Sequence, residues 1–403
     1  MTQPVMIQWS ISSFFGWGVY GLNLALHWAG DPAIEPVCVA PIDAGQITID
    51  PLRERAILPF LIRSIQFQKQ ISQHANGSAT ADAPLLLALG NGLCGSPAAH
   101  NVVLGGKPTI GVVFFEEALD PTAIKRGKQL SLIITGSTWN ERVLRTYGFE
   151  NVRTILQGID PTHFHTAPKL GFMGDRFLIF SGGKAELRKG QDIVMAAFKI
   201  FAKRHKEATL VTAWHSPWPH FARSLDQTRL AAPIAFDKDG KLDVAAWAAA
   251  NEIAPEQVID LGNVPNVSMP PILREMDAAV FTNRSEGGTN LVAMECMACG
   301  IPVVLSRNTG HLDLITDDNC YPLDDQRAIE NRWTSVGDVA CWGESQVDEV
   351  VERLEQIFVD RAAARKRGLR AARLMQRLTW AETARQMKDV VLSAAKNTVS
   401  EAA

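Results

Sequence analysis

Two carboxylates and a cluster of cations stand at spacings that suit a ligand carrying both phosphate and hydroxyl groups. Glu286 directly precedes Gly287 and Gly288, Thr289 or Asn290 can cap the helix that follows, and Glu295 falls inside that helix among residues that read as buried. A helix amino end offers unpaired backbone N–H groups and the positive end of a dipole, which together favour a phosphate. A carboxylate in the preceding loop repels phosphate at contact range but accepts hydrogen bonds from hydroxyls. A second stretch, FSGGKAELRKGQD, adds the other half: Gly182 and Gly183 free the backbone to turn, and Lys184, Arg188 and Lys189 gather positive charge at the start of a helix. Cations in a first turn oppose the helix dipole, which favours a bound diphosphate over a purely structural reason for them. A P-loop is excluded, since its G-x-x-x-x-G-K-[ST] order is missing. The ligand that satisfies both stretches is a nucleotide sugar, with sugar hydroxyls at Glu286, diphosphate at the lysines and helix end, and ribose hydroxyls at Glu295. The plain alternative is a loop charge at Glu286 and a helix-stabilising charge at Glu295.

A third glycine signal lies near the start, where Gly16, Gly18 and Gly21 fit G-x-G-x-x-G between a strand and a helix. Taken alone it suggests a dinucleotide fold. Ser12 to Phe15 lengthen the turn, however, and the acidic candidates are misplaced, with Glu35 before the second strand and Asp43 well after it. The loop remains a candidate for a polar ligand, or for close helix–sheet packing. Gly16, Trp17, Gly18, His100, Glu116 and Glu117 are the candidate ligand contacts of this half of the chain. Trp214 and His215 end a strand and could border the donor; a core tryptophan beside a capping histidine explains them as well. Asp237 and Asp239 spell D-x-D, a metal-ligand pattern, but Gly240 and the polar surroundings favour a turn. Cys296 and Cys299 have C-x-x-C spacing without a second ligand pair and read as small buried thiols.

The elements that must position these residues alternate strand with helix, which points to an α/β chain of parallel sheets covered by helices. Strands are expected at 5–9, 36–40, 85–89, 109–114, 131–135 and 152–156, then at 177–180, 209–213, 258–261, 279–282 and 302–305. Residues 158–176 carry three glycines and two prolines without periodicity and read as a linker between two Rossmann-like halves. The expected domains are 1–165 and 166–403, the second carrying the nucleotide-sugar stretches. From Gln346 onward the text is helical with a break near Thr379, and the last helix is a candidate to pack back on the first domain.

The formal charge of −3 over 403 residues supplies no field for polyanions, so nucleic acid is not an expected partner. No Lys or Arg precedes Arg53 and no run of about 18 apolar residues occurs, so neither a secretory signal nor a membrane span is expected and a cytoplasmic protein is. Seven basic residues between Arg361 and Arg377 read as a solvated helix face by default. Peripheral contact with the inner face of an anionic membrane, or with a lipid-linked acceptor, is the sharper alternative.

Residues 285–305 resemble the signature of glycosyltransferase family four, retaining transferases with two Rossmann-like domains facing each other across a cleft, the GT-B fold. The stretch SGGKAELRKGQD is similar to that family's phosphate motif, with Lys184 in the place of the usual arginine and Lys189 matching the lysine. The likeness extends to GWGVYGLNLA, to STWN from Ser137, to QGIDPTHF and to MPPILREMDAAVFTNRSEGG. The family usually has seven residues between its two glutamates; eight separate Glu286 from Glu295 here. The resemblance implies sugar transfer from a nucleotide sugar to a glycan, lipid-linked or other hydroxyl acceptor with retention of configuration, in glycan or polysaccharide biosynthesis. Catalytic roles fall to Glu286, Lys184 and Lys189, with no bound metal and no permanent cofactor, and the acceptor side falls to the first domain, with Gly16, Trp17, Gly18, His100, Glu116 and Glu117 as its candidate contacts. A nucleotide-sugar epimerase, a non-catalytic nucleotide-sugar binder and, further off, an NAD-dependent oxidoreductase are the alternatives.

Overall fold

A computed structural model describes residues 2–329 and 341–401, which divide into two compact units. The first runs from the amino terminus to Gly158 and also takes in Pro265–Val267 and the chain from Leu378 onward. It begins with β1 (Gln3–Gln8), α1 (Gly16–Trp28), β2 (Ile34–Cys38) and α2 (Pro51–Ile71). Next come β3 (Ser78–Thr80), β4 (Leu85–Leu89), β5 (Val103–Gly105), β6 (Thr109–Val113), α3 (Pro121–Gly127), β7 (Leu132–Thr135), α4 (Thr138–Thr146) and β8 (Val152–Thr154). Six of these strands form one parallel sheet in the order β2-β1-β4-β6-β7-β8, while β3 and β5 pair apart from it.

The second unit carries β9 (Phe177–Gly182), α5 (Gln191–Arg204), β10 (Ala208–Ala213), α6 (Val244–Ala250), β11 (Val258–Asp260), α7 (Met269–Leu273), β12 (Ala278–Phe281) and α8 (Leu291–Ala298). It continues through β13 (Val303–Ser306), β14 (Tyr321–Leu323), β15 (Gln326–Ala328), β16 (Gly343–Ser345), α9 (Val347–Val359) and α10 (Arg361–Met375). Its sheet is also parallel, in the order β11-β10-β9-β12-β13-β14. Strands covered on both faces must be apolar along their whole length. All six residues of β9 are buried accordingly.

Both sheets place a topological switch beside their first strand: the chain leaves β1 for β2 on one side and returns to β4 on the other, and it leaves β9 for β10 and returns to β12. The carboxyl ends of strands at such a switch are where open α/β sheets bind ligands. The helices start where side chains can satisfy their first N–H groups. Asp50 before Pro51 caps α2, Asp120 before Pro121 caps α3, Ser137 caps α4 and Asp360 caps α10.

Two expectations need amending. Residues 159–176 are not a free linker: the buried Glu275 carboxylate accepts from the N–H groups of Leu170, Gly171 and Phe172, and Lys169 pairs with Asp277 at 2.8 Å, so the segment is strapped to the second unit. The basic run is not a uniformly solvated face either. Arg361 lies over Phe177 and Phe358, Arg367 over Tyr321, Arg370 donates to the Asp318 carbonyl, and Arg365 donates to that of Ala167. The last helix, α11 (Trp380–Glu401), belongs to the first unit, where Trp380 stacks on Tyr20 and the Trp28 indole donates to the Ala384 carbonyl at 3.1 Å. Among the described residues no helix is long and apolar enough to cross a membrane.

Candidate functional site

In the second unit, two loops leave the neighbouring strands β9 and β12 and are locked to each other. The first loop turns at Gly183 and ends at Gly190, whose left-handed backbone (φ 72°) and close approach to β12 both require glycine. A Cβ there would lie 2.2 Å from the Thr282 carbonyl oxygen, while the Thr282 hydroxyl donates to the Gly190 carbonyl at 2.7 Å. The fully buried Arg284 braces the second loop. Its guanidinium forks onto Asp192 at 2.8 and 2.7 Å and reaches Glu344 at 2.9 Å, and its backbone N–H donates to the Arg188 carbonyl. A buried charge is tolerable only with such partners.

This bracing brings the sequence-predicted Lys184, Arg188, Lys189 and Glu286 into one network. Lys189 and Asn283 both donate to one oxygen of Glu286, with Arg188 at 3.5 Å. Burial alone would raise the Glu286 carboxyl, but the neighbouring Lys189 and Arg188 charges outweigh it and hold the group at about 2. For Lys189, burial wins over the attraction of Glu286 and moves the ammonium below its usual value. Lys184 is paired with Glu186 at 2.7 Å and seated over the Phe221 ring at 4.5 Å.

The Glu286 backbone is fixed by a turn that sequence reasoning passed over. Its N–H donates to the Thr309 hydroxyl and its carbonyl accepts from Gly310. Gly310 lies so close to Gly288 that an added Cβ would fall 1.7 Å from that carbonyl oxygen. His311, also buried, takes a hydrogen bond from the Asn290 amide on Nε2 and meets Ser306 through Nδ1. Burial moves its pKa down to about 4, so the ring is neutral at pH 7.

Asn290 is the residue that caps α8, in a left-handed conformation and with its side chain accepting from Ala293. The Thr289 hydroxyl lies against the Met294 sulfur at 3.0 Å. Glu295 is buried in α8 beside Cys296 and Cys299, two buried thiols raised first by burial and further by that carboxylate.

Trp214 is a core residue, 1% exposed, donating to Ser181 and packed on Trp247, but its ring also lines a cavity of about 310 Å³. His215, Ala185, Pro217, Lys241 and Asn263 complete much of that lining, which begins one residue beyond Lys184. His215 is paired with Asp260 at 2.6 Å, and this hydrogen bond raises its pKa. Asp237 accepts from the N–H groups of Asp239 and Lys241, closing the turn expected there.

In the first unit, Gly16 opens α1 at the carboxyl end of β1, and Trp17 packs edge-on against Phe114 at 4.7 Å and against Trp9 at 5.3 Å. Gly18 is explained by packing, since a Cβ would lie 2.1 Å from the Ser12 hydroxyl, and Gly21 likewise abuts the Trp9 indole. These two glycines of the apparent dinucleotide fingerprint therefore face protein. Glu116 is nearly buried, its N–H donating to Asn91, and Glu117 is half-buried next to it. His100 is exposed and left-handed (φ 61°), and it offers its carbonyl to Asn76 beyond the end of α2.

Residues 269–387 match the family model described as family 4 glycosyltransferase in conflict systems. No curated protein matches the chain in sequence. Among solved structures, HepE of Anabaena in complex with UDP is 14% identical, with a TM-score of 0.58 over 97% of this chain and 100% of that one. Sucrose-phosphate synthase of Thermosynechococcus elongatus is 15% identical, with a TM-score of 0.62 over 96% and 98%. A glycosyltransferase of Rickettsia africae is 9% identical, with a TM-score of 0.63 over 98% and 99%. Residues 269–387 are thus similar in sequence to family 4 glycosyltransferases, and the chain has the GT-B fold over nearly its whole length.

Proposed function

We propose that the protein is a retaining glycosyltransferase that moves a sugar from a nucleoside diphosphate sugar to a hydroxyl of a glycan, lipid-linked or other acceptor in the cytoplasm, in glycan or polysaccharide biosynthesis. The observation that carries this reading is the ionic network of Lys184, Arg188, Lys189 and Glu286 at the carboxyl ends of the adjacent strands β9 and β12. Lys189 and Glu286 satisfy one another, and a donor exchanges that pair for two complementary contacts: phosphate oxygens on Lys189 and sugar hydroxyls on Glu286. As the bond from the anomeric carbon to the phosphate oxygen breaks, negative charge grows on the leaving diphosphate. In this reading Lys184, Lys189 and the N–H groups after Glu286 stabilise it, with Arg188 beside them and no metal ion required. We assign the ribose hydroxyls to Glu295, further along α8, and the border of the donor to Trp214 and His215. Gly16, Trp17, Gly18, His100, Glu116 and Glu117 stand as the acceptor-side candidates. HepE binds UDP, which makes UDP-sugars the first donors to try.

A thermal-shift screen of nucleotide sugars identifies the donor, since ligand at a hundred times its dissociation constant adds about 2.7 kcal/mol of stability. With that donor at saturation, Lys189→Ala is expected to slow transfer by about 10² to 10³, the usual effect of deleting one preorganised donor to a leaving-group charge. Near-normal transfer by this variant sinks the assignment. Conversion of the donor without any acceptor would replace transfer by epimerisation.

A further inference from the structure

Glu186 carries no role in the reading above, yet it sits in the middle of the cation cluster. One of its oxygens takes Lys184 at 2.7 Å and the other takes Arg188 at 2.6 Å. The loop around it is rigid: its N–H donates to the Gln191 side chain, its carbonyl accepts from Lys189 N–H, and the Leu187 N–H donates to Ser224. Lys184 is held from its other side by the Phe221 ring. Burial would push the Glu186 carboxyl up, but the Arg188, Lys184 and Lys189 charges outweigh it, so the group is ionised.

The charge balance gives this carboxylate a consequence. Lys184, Arg188 and Lys189 against Glu186 and Glu286 leave 3 − 2 = +1 in the network, whereas the cations without Glu186 would leave +2. A sugar-linked diphosphate carries roughly two negative charges, and the free nucleoside diphosphate close to three at neutral pH, because the terminal phosphate loses its second proton near pH 6. Cations alone would thus hold the product more tightly than the donor. We propose that Glu186, set among the cations that bind the diphosphate, opposes that ligand by its charge and so speeds release of the nucleoside diphosphate product. This rests on the donor assignment made above.

The sign of one substitution separates this role from a merely structural one. Glu186→Gln keeps the shape and removes the charge; losing a structural brace would loosen ligand binding, whereas losing an opposing charge tightens it. Calorimetric titration of inorganic pyrophosphate and a panel of nucleoside diphosphates into the full chain is expected to give about tenfold tighter binding for Glu186→Gln, on the order of 1.4 kcal/mol. Product inhibition should strengthen by a similar factor and kcat should fall where release limits turnover. Glu186→Ala, which removes the carboxylate outright, is the second variant and should shift affinity in the same direction. Wild-type binding that Lys189→Ala abolishes, with both Glu186 variants no tighter than wild type, overturns the role of Glu186 alone. Absence of pyrophosphate and nucleoside diphosphate binding in wild type and variants alike overturns the donor site and this inference together.

Discussion

His311 ties the chemistry of the site to the stability of the unit that holds it. Its imidazole is buried with the proton fitted to Nδ1, facing Ser306, and Nε2 accepting from Asn290. Its folded pKa of about 4 lies below the unfolded value near 6.5, so the unfolded chain binds a proton that the folded chain refuses. The contribution is therefore complete above pH 6.5 and is lost as pH falls toward 4. Between pH 7 and pH 5 the loss from this ring alone should be about 2 kcal/mol. Urea unfolding of wild type and His311→Gln at both pH values measures it: the variant should be less stable at pH 7 but should lose about 2 kcal/mol less on acidification. Equal pH slopes for the two proteins would show that the ring does not titrate as described. Nothing in the sequence marked His311, because its role depends on β13 delivering it beneath the cap of α8.

At the scale of elements, the strands were legible and the contacts between their loops were not. Apolar runs announced β1, β4, β6, β9 and β12 because strands buried on both faces leave little choice of residue. Short or interrupted strands such as β14, with Pro322 at its centre, and the paired β15 and β16 gave no such run. Lys189 and Glu286 were recognisable by type, but their pairing follows from β9 lying beside β12, a matter of strand order that no local pattern records. The turn after β13 was missed for the same reason. No sequence pattern singles out Thr309 and Gly310, yet they hold the glycine loop that carries Glu286. Gly310→Ala drives a methyl into the Gly288 carbonyl, and backbone cannot give way as a flexible side chain can. The expected result is a loss of donor affinity of tenfold or more, about 1.4 kcal/mol at least, read by calorimetry. Gly30→Ala, whose methyl would meet open space, is the control and should bind as wild type does.

For the whole molecule, the first unit is built from both ends of the chain, and this makes its stability depend on residues far from its sheet in sequence. In α11, Trp380, Met387, Val390 and Val391 are buried, and Thr383 donates to the Leu156 carbonyl at 2.9 Å. Lys388 pairs with Asp31 at 2.5 Å. The fit at the start of the helix is close, since a Cβ on Gly158 would fall 2.2 Å from the Thr379 backbone. Each fully buried side chain of this size contributes about 1.5–3 kcal/mol, so four of them are comparable to the entire stability of a typical domain. Trp380→Ala should therefore cost about 3–5 kcal/mol by removing the stack on Tyr20 and opening a cavity over α1. Hydrogen exchange locates the damage: faster exchange is expected in β1, α1 and β2, with β9 and β12 protected as in wild type. Loss of protection spread evenly over both sheets would mean that the two units unfold as one. Because the donor assignment lies wholly within the second unit, Trp380→Ala should leave nucleotide affinity unchanged while lowering the temperature at which transfer fails.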